Sequence, residues 1–213
     1  MNIRLLSMAL LASSVATAAT PVDGWYTSVF GGYTYLTDNI HNYDNYGRFR
    51  NDAGYNGGYN AGGRIGYQSN PLRYELEYTY LEANAKHFDL NYRRQVAVTG
   101  YASGNLFMGN AYYDFPDMLP AISPYLGVGI GYAYLQGTLN SAGPLATTYF
   151  SANESAFAYQ ATAGITYNFA ENYAVNLAYR YVATDKTNGF GKAFQAQIAN
   201  AGVVYHFDRG NYK

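Results

Sequence analysis

Apolar and polar residues in this chain alternate with a period of two over several long segments, the pattern of an extended strand whose two faces meet different surroundings. It is cleanest in four places. In Leu72 to Tyr80 one face is Leu72, Tyr74, Leu76, Tyr78 and Tyr80, and the other is Arg73, Glu75, Glu77 and Thr79. In Pro124 to Tyr134, Leu126, Val128, Ile130, Tyr132 and Tyr134 oppose Tyr125, Gly127, Gly129, Gly131 and Ala133. Phe157, Tyr159, Ala161, Ala163, Ile165 and Tyr167 oppose Ala158, Gln160, Thr162, Gly164, Thr166 and Asn168. Tyr173, Val175, Leu177, Tyr179 and Tyr181 oppose Ala174, Asn176, Ala178, Arg180 and Val182.

Four further strands are expected at Trp25 to Leu36, Gly58 to Gln68, within Val96 to Tyr113, and at Ala193 to Phe207. Within the third of these, Asn105 and Asn110 fall on opposite phases, which calls for a bulge or for an upper half that protrudes. The connections alternate in length. Long polar stretches run over about Thr37 to Gly57, Ala83 to Gln95, Gly137 to Ser155 and Ala183 to Lys192, and short turns lie at Ser69-Asn70-Pro71 and Ala170-Glu171-Asn172. The segment Asp114 to Ser123, with two prolines, is long for a short-side turn.

Composition changes the picture from any β-protein to one that crosses a membrane. The chain has 26 Tyr, 11 Phe and 23 Gly, with only 13% charged residues. Tyrosine collects where a ring can meet lipid and a hydroxyl can meet water. Beyond the N-terminal leader no segment is apolar enough to be a spanning helix. The remaining structure that satisfies every backbone group in lipid is a closed barrel. Arginine orients its faces, since Arg or Lys on lipid near the midplane costs about 2–4 kcal/mol. Arg73, Glu75 and Glu77 must therefore face the lumen and Leu72, Tyr74 and Leu76 the lipid. A soluble lipocalin-like barrel would need the reverse. The expected fold is an all-β, eight-stranded antiparallel transmembrane up-and-down barrel.

Arg4, the apolar run Leu5 to Ala12 and the small residues Ser13 to Ala19 read as a secretory signal peptide. Ala16 and Ala18 stand in A-x-A spacing, placing cleavage after Ala18 or Ala19. This divides the chain into a signal peptide, 1–19, and one barrel domain, 20–213. Cysteine is absent, so neither disulfides nor a lipid-anchored Cys is available. A net charge of −1 gives no reason to expect a nucleic-acid partner.

Trp25-Tyr26-Thr27, Asn110 to Phe115 and Pro124 to Gly129 resemble recurring stretches of the OmpA-like and opacity-type family of small outer-membrane barrels. The resemblance implies the outer membrane of a Gram-negative bacterium, with outer-membrane lipids and lipopolysaccharide around the barrel. It also implies periplasmic chaperones and the barrel-assembly machinery as partners. Near the end, Asn200-Ala201-Gly202-Val203-Val204-Tyr205-His206-Phe207 matches the polar-x-Gly-x-x-aromatic-x-aromatic pattern of last strands. Asn200, Gly202, Tyr205 and Phe207 are thus the candidate assembly signal.

The inward charges Arg64, Arg73, Glu75, Glu77 and Arg180 are the candidate lumen network. A hairpin turning about Asn70 sets Arg64 roughly opposite Glu75, within reach of an ion pair. Such a network either gates ions or fills a narrow interior with mutually satisfied charges. Gly127-x-Gly129-x-Gly131 lacks the helix and spacing of a nucleotide fingerprint and is read as space in a narrow lumen. His41 and His87 are placed in outside loops and His206 at the periplasmic mouth, with no metal-ligand spacing and no cofactor implied. Tyr43, Tyr46, Arg48, Arg50, Tyr92, Arg93 and Arg94 suit loops that contact a host or surface protein, or the anionic outer leaflet.

The function expected is a non-enzymatic surface protein that supports membrane integrity and adhesion or host contact. Two alternatives stand beside it: a small pore with a gated polar lumen, and a lipid-modifying enzyme using groups such as His87, Glu82 and Ser103.

Overall fold

A computed structural model of the chain describes residues 23–37, 40–43, 50–55, 57–90, 93–94, 96–115, 122–142, 147–186 and 193–207. The signal peptide expected over 1–19 and the prolines of the 114–123 segment lie outside these residues. Eight long strands form the barrel. They are β1 (Gly24–Leu36), β2 (Gly58–Ser69), β3 (Leu72–Leu90), β4 (Val96–Asp114), β5 (Ile122–Ala142), β6 (Thr147–Asn168), β7 (Tyr173–Lys186) and β8 (Ala193–His206).

Each strand pairs antiparallel with its neighbours in sequence, and β1 pairs with β8 from Tyr26↔His206 to Leu36↔Ala196, closing the sheet. The alternation expected from the sequence governs the two surfaces. Leu76 is 69% exposed on the outside, while its neighbours Glu75 and Glu77 are 3% and 4% exposed in the lumen. That inverts a soluble barrel and excludes the lipocalin-like rival. The outer surface carries Val29, Ile65, Leu76, Val128, Ile130, Leu177 and Val203 between two bands of aromatic rings. The lower band includes Trp25, Tyr113, Tyr173 and Phe207, and the upper Tyr35, Tyr59, Tyr134 and Tyr181. From Trp25 to Tyr35, at about 3.4 Å per residue and a tilt of about 40°, the bands stand roughly 25 Å apart, the height of a barrel's lipid zone.

The strands differ in length by position. β1, β2, β7 and β8 have 13, 12, 14 and 14 residues, whereas β3 to β6 have 19, 19, 21 and 22. The four long strands are adjacent, so they rise past the upper band as a wall on one side of the barrel. Two short strands, Ile40–Tyr43 and Arg50–Tyr55, form a hairpin that adds to the upper part of β3. Arg93–Arg94 pairs with the same strand at Leu90 and Asp89.

Much of the sequence expected to be outside loop is therefore strand. Ala83 to Leu90, Gly137 to Ala142 and Thr147 to Ser155 continue β3, β5 and β6, and His41 and His87 lie on strands. Above the membrane neither face meets lipid, so the two-residue contrast that marks a spanning strand is lost. β4 protrudes as one of the two expected alternatives required. Its register is unbroken from Thr99↔Asn140 to Asp114↔Tyr125, and the only shift is at Val96/Val98, above both asparagines. Asn105 faces outward, where its Oδ1 accepts from the Tyr78 hydroxyl at 2.7 Å.

Val128→Arg, in the centre of the apolar band, is expected to lower folding free energy by about 2–4 kcal/mol, and Tyr101→Arg, above the upper band, by about 0–1 kcal/mol. Equilibrium urea titration of the barrel in lipid vesicles measures both; equal costs at the two positions would contradict the assigned lipid zone.

Candidate functional site

The lumen is built from the inward phase of the strands, and its lower part holds a charge network. The Asn70-Pro71 turn joins Ser69 to Leu72, which sets Arg64 directly opposite Glu77. The sequence reading had placed it opposite Glu75, and the pairing lies two residues along because the turn centres between Asn70 and Pro71. Arg64 in fact serves both acids, with Nη1 3.6 Å from Glu75 Oε2 and Nη2 3.5 Å from Glu77 Oε2. Arg180, on β7, reaches across the barrel to β3, where its Nη1 pairs with Glu77 Oε1 and lies 3.3 Å from Thr79 Oγ1. β3 and β7 are four strands apart in a ring of eight, so this contact spans the lumen's diameter.

Nearer the periplasmic end, Arg73 grips Asp114 of β4 with two nitrogens, Nε to Oδ2 at 3.2 Å and Nη2 to Oδ1 at 3.1 Å. Its third nitrogen, Nη1, lies 3.1 Å from Glu75 Oε1, which also accepts from the Tyr26 hydroxyl at 2.5 Å. The Arg73 guanidinium is held between the Tyr112 and Tyr125 rings at 4.6 and 4.4 Å, and Phe30 lies under Arg64 at 4.3 Å. Such stacking suits a planar, weakly hydrated cation away from water. Three arginines face three carboxylates, so the network carries no net charge. All five residues expected in the network are brought together. Asp114, Tyr26, Phe30, Tyr112 and Tyr125 were missed, although Asp114 shares the inward phase of Asn110 and Tyr112.

The upper lumen is mainly apolar, with Thr34, Asn60 and Thr184 buried among its aliphatic side chains. Leu36, Leu81, Leu106, Leu135, Val182 and Ile198 form one buried cluster, with alanines and Met108 filling between them. This layer begins just above the segments with clean alternation, where Leu81 and Leu135 each follow the last residue read as strand. At the other end, a cavity of about 20 Å³ lined by Tyr26, Gln68, Arg73, Asp114 and His206 has room for about one water. His206 is at the periplasmic mouth as expected, its ring 5.5 Å from that of Tyr26.

The last strand's motif has a packing role in this lumen. A Cβ on Gly202 would come within 2.9 Å of Phe30 Cβ and of the Val29 carbonyl oxygen, so a side chain there would displace the ring beneath Arg64. Asn200 is buried; with its amide nitrogen donating to the Ala178 carbonyl at 3.3 Å, its oxygen accepts from Arg180 Nη2 at 3.2 Å. Tyr205 is half-buried and Phe207 exposed on the outer face.

Of the residues expected to make outside contacts, Tyr43 and Arg50 are register partners in the short hairpin, and Arg93 and Arg94 pair with β3. Tyr46, Arg48 and Tyr92 lie outside the described residues. Glu82 and Ser103 are register partners, but Glu82 Oε2 accepts from the Tyr80 hydroxyl at 2.6 Å.

A family model for the outer membrane protein beta-barrel domain matches residues 4–207. The chain belongs to this family. This outer-membrane barrel is 28% identical over 229 residues to an outer membrane protein of Gluconacetobacter diazotrophicus, covering 89% of this chain and 57% of the relative. It is 29% identical over 131 residues to the outer membrane protein PagN of Salmonella typhimurium, covering 55% of this chain and 52% of PagN. The chain thus spans about half the length of these relatives. Among solved structures it resembles Neisserial surface protein A with a TM-score of 0.59 at 18% identity, over 86% of this chain and 97% of that one. OprG of Pseudomonas aeruginosa matches with a TM-score of 0.54 at 11% identity, over 89% and 99%. Both likenesses are in fold. The barrel is an outer-membrane protein of the Gram-negative type.

Removing one partner from a buried charge network leaves an uncompensated ion and costs about 3–5 kcal/mol. Glu77→Gln, which strips charge from both Arg64 and Arg180, is expected to destabilise the barrel by that amount in urea titration, and Arg180→Leu in the same chain to restore part of it. In the apolar layer, Leu106→Ala is expected to cost about 2–5 kcal/mol by opening a cavity, read in the same titration.

Proposed function

We propose that this barrel is a non-enzymatic surface protein whose work is done outside the membrane, by the wall of β3 to β6 and the hairpin joined to it. The observation that carries the reading is the contrast between a filled lumen and an extended exterior. The interior has an apolar layer above a neutral network of cross-lumen ion pairs, both built of buried side chains. The exterior continues four strands as ordered sheet beyond the upper aromatic band, a rigid base for contact residues. Tyr43, Arg50, Arg93 and Arg94 sit on strands of this sheet, and Tyr and Arg are the types that most often anchor protein contacts. The lipids around the barrel, and the chaperones and assembly machinery before insertion, are the partners this reading takes from the family.

A bacterium displaying the protein should bind cultured host cells above the level of a strain carrying an empty vector. Deletion of the hairpin Ile40 to Tyr55 should remove that gain while heat-modifiable gel mobility, which reports the closed barrel, is kept. No gain from the intact protein would refute the adhesion reading. Stepwise conductance in planar bilayers would favour the pore, and an altered lipid A or phospholipid profile on overexpression the enzyme.

A further inference from the structure

The outward face of the wall is rich in amides and hydroxyls set among tyrosines. Directly above the upper aromatic band, register pairing aligns Glu82, Ser103, Gln136 and Asn153 in one row across β3 to β6. The next row up holds Asn84, Tyr101, Thr138 and Ser151. The row below carries Asn105 and Ser155 beside Tyr80 and Tyr134. Direct partners in an antiparallel sheet share a face, so these residues form one continuous lateral surface, within which Ser103 is itself covered by its neighbours at 5% exposure.

Its chemistry is narrow. Amides, hydroxyls and tyrosines make up these three rows, Glu82 is their one carboxylate, and they contain no Lys or Arg; the next residue of this phase on β3 is Lys86, at their upper limit. An exposed protein surface facing only water ordinarily mixes charges of both signs. A surface adapted to anionic phosphates would carry Lys or Arg. Side chains that both donate and accept, set among flat rings, match instead the hydroxyl pairs and ring faces of uncharged sugars. Tyr80 holds Glu82 and Tyr78 holds Asn105 through hydroxyl donors at 2.6 and 2.7 Å, which orients these acceptors in advance.

Position names the occupant. The surface looks sideways, within about 15 Å above the lipid zone at about 3.4 Å of rise per residue, where an outer leaflet of glycolipid places its sugars. We infer that the outward face of β3 to β6 is a docking surface for the uncharged sugars of the glycolipids surrounding the barrel. The inference rests on the outer-membrane placement and is independent of the adhesion reading.

The test uses the mature barrel in bilayers of two compositions with the same acyl chains and phosphates, one bearing lipid A alone and one bearing lipid A extended by a neutral hexose-containing core. Unfolding rates in the intact bilayers, in concentrated urea, are read by gel mobility of samples withdrawn over time. The sugar-bearing bilayer should slow unfolding by about 10-fold, the size of one or two net hydrogen bonds. Asn84→Ala, Gln136→Ala and Asn153→Ala together should shrink that difference below about 2-fold, with the rate in lipid A alone unchanged, so that a folding defect is recognised separately. Equal rates for the intact barrel in the two bilayers would overturn the inference, as would a difference that survives the triple substitution. Loss of the difference on adding a chelator would also overturn it, because a bridging cation and not sugar recognition would then be responsible.

Discussion

Hydrocarbon offers backbone amides no partner, and the pairing of β1 with β8 from Tyr26 to Leu36 removes the last open edge of the spanning sheet. Closure also creates the lumen, and with eight strands the lumen is narrow enough to be filled by side chains alone. The arginines and carboxylates of β2, β3, β4 and β7 are then shut away from both lipid and bulk water. Their only stable arrangement is mutual: Arg64 to two glutamates, Arg73 to Glu75 and Asp114, and Arg180 across the diameter to Glu77. The last strand enters the same arrangement through Asn200 and through the bare Cα of Gly202 beside Phe30. The residues that complete the sheet thus also complete the interior.

The interior divides by height. Charged groups occupy the part that runs through the lipid zone, whereas leucines, Val182 and Ile198 occupy the part level with the upper band and wall. An apolar layer above paired charges keeps external water from competing for the ion pairs, which makes each of them stronger. The outside sheet consequently stands on a solid base.

The eight strands and the phase of the lumen charges were legible in the sequence because lipid and lumen impose opposite demands on neighbouring residues between Leu72 and Tyr80, or Tyr173 and Val182. That contrast ends at the upper band. Above it, Leu81 and Leu135 face an apolar interior, unlike the charged lumen of the lower segments, and the strands Ile40–Tyr43 and Arg50–Tyr55 pair beside β3 instead of within the barrel. The pairing of Arg64 was misplaced by two residues because an Asn-Pro turn does not declare its centre from composition. Asp114 was missed because it was assigned to the turn that follows it. The row of amides and hydroxyls outside β3 to β6 is invisible without register, since its members come from four separate stretches of chain.

The continuity of β3 to β6 from lumen to wall has a consequence for how this chain can change over evolutionary time. In a strand of period two, inserting or deleting one residue exchanges the faces of everything on one side of the change. A single-residue change within the wall would either break its pairing or carry down the strand and turn residues such as Glu75 and Glu77 of β3 toward lipid. Length variation is therefore tolerated in pairs within the strands, or at the tips between them. Side chains of the outside surface can be exchanged one at a time, but its length is governed by the membrane segment beneath it.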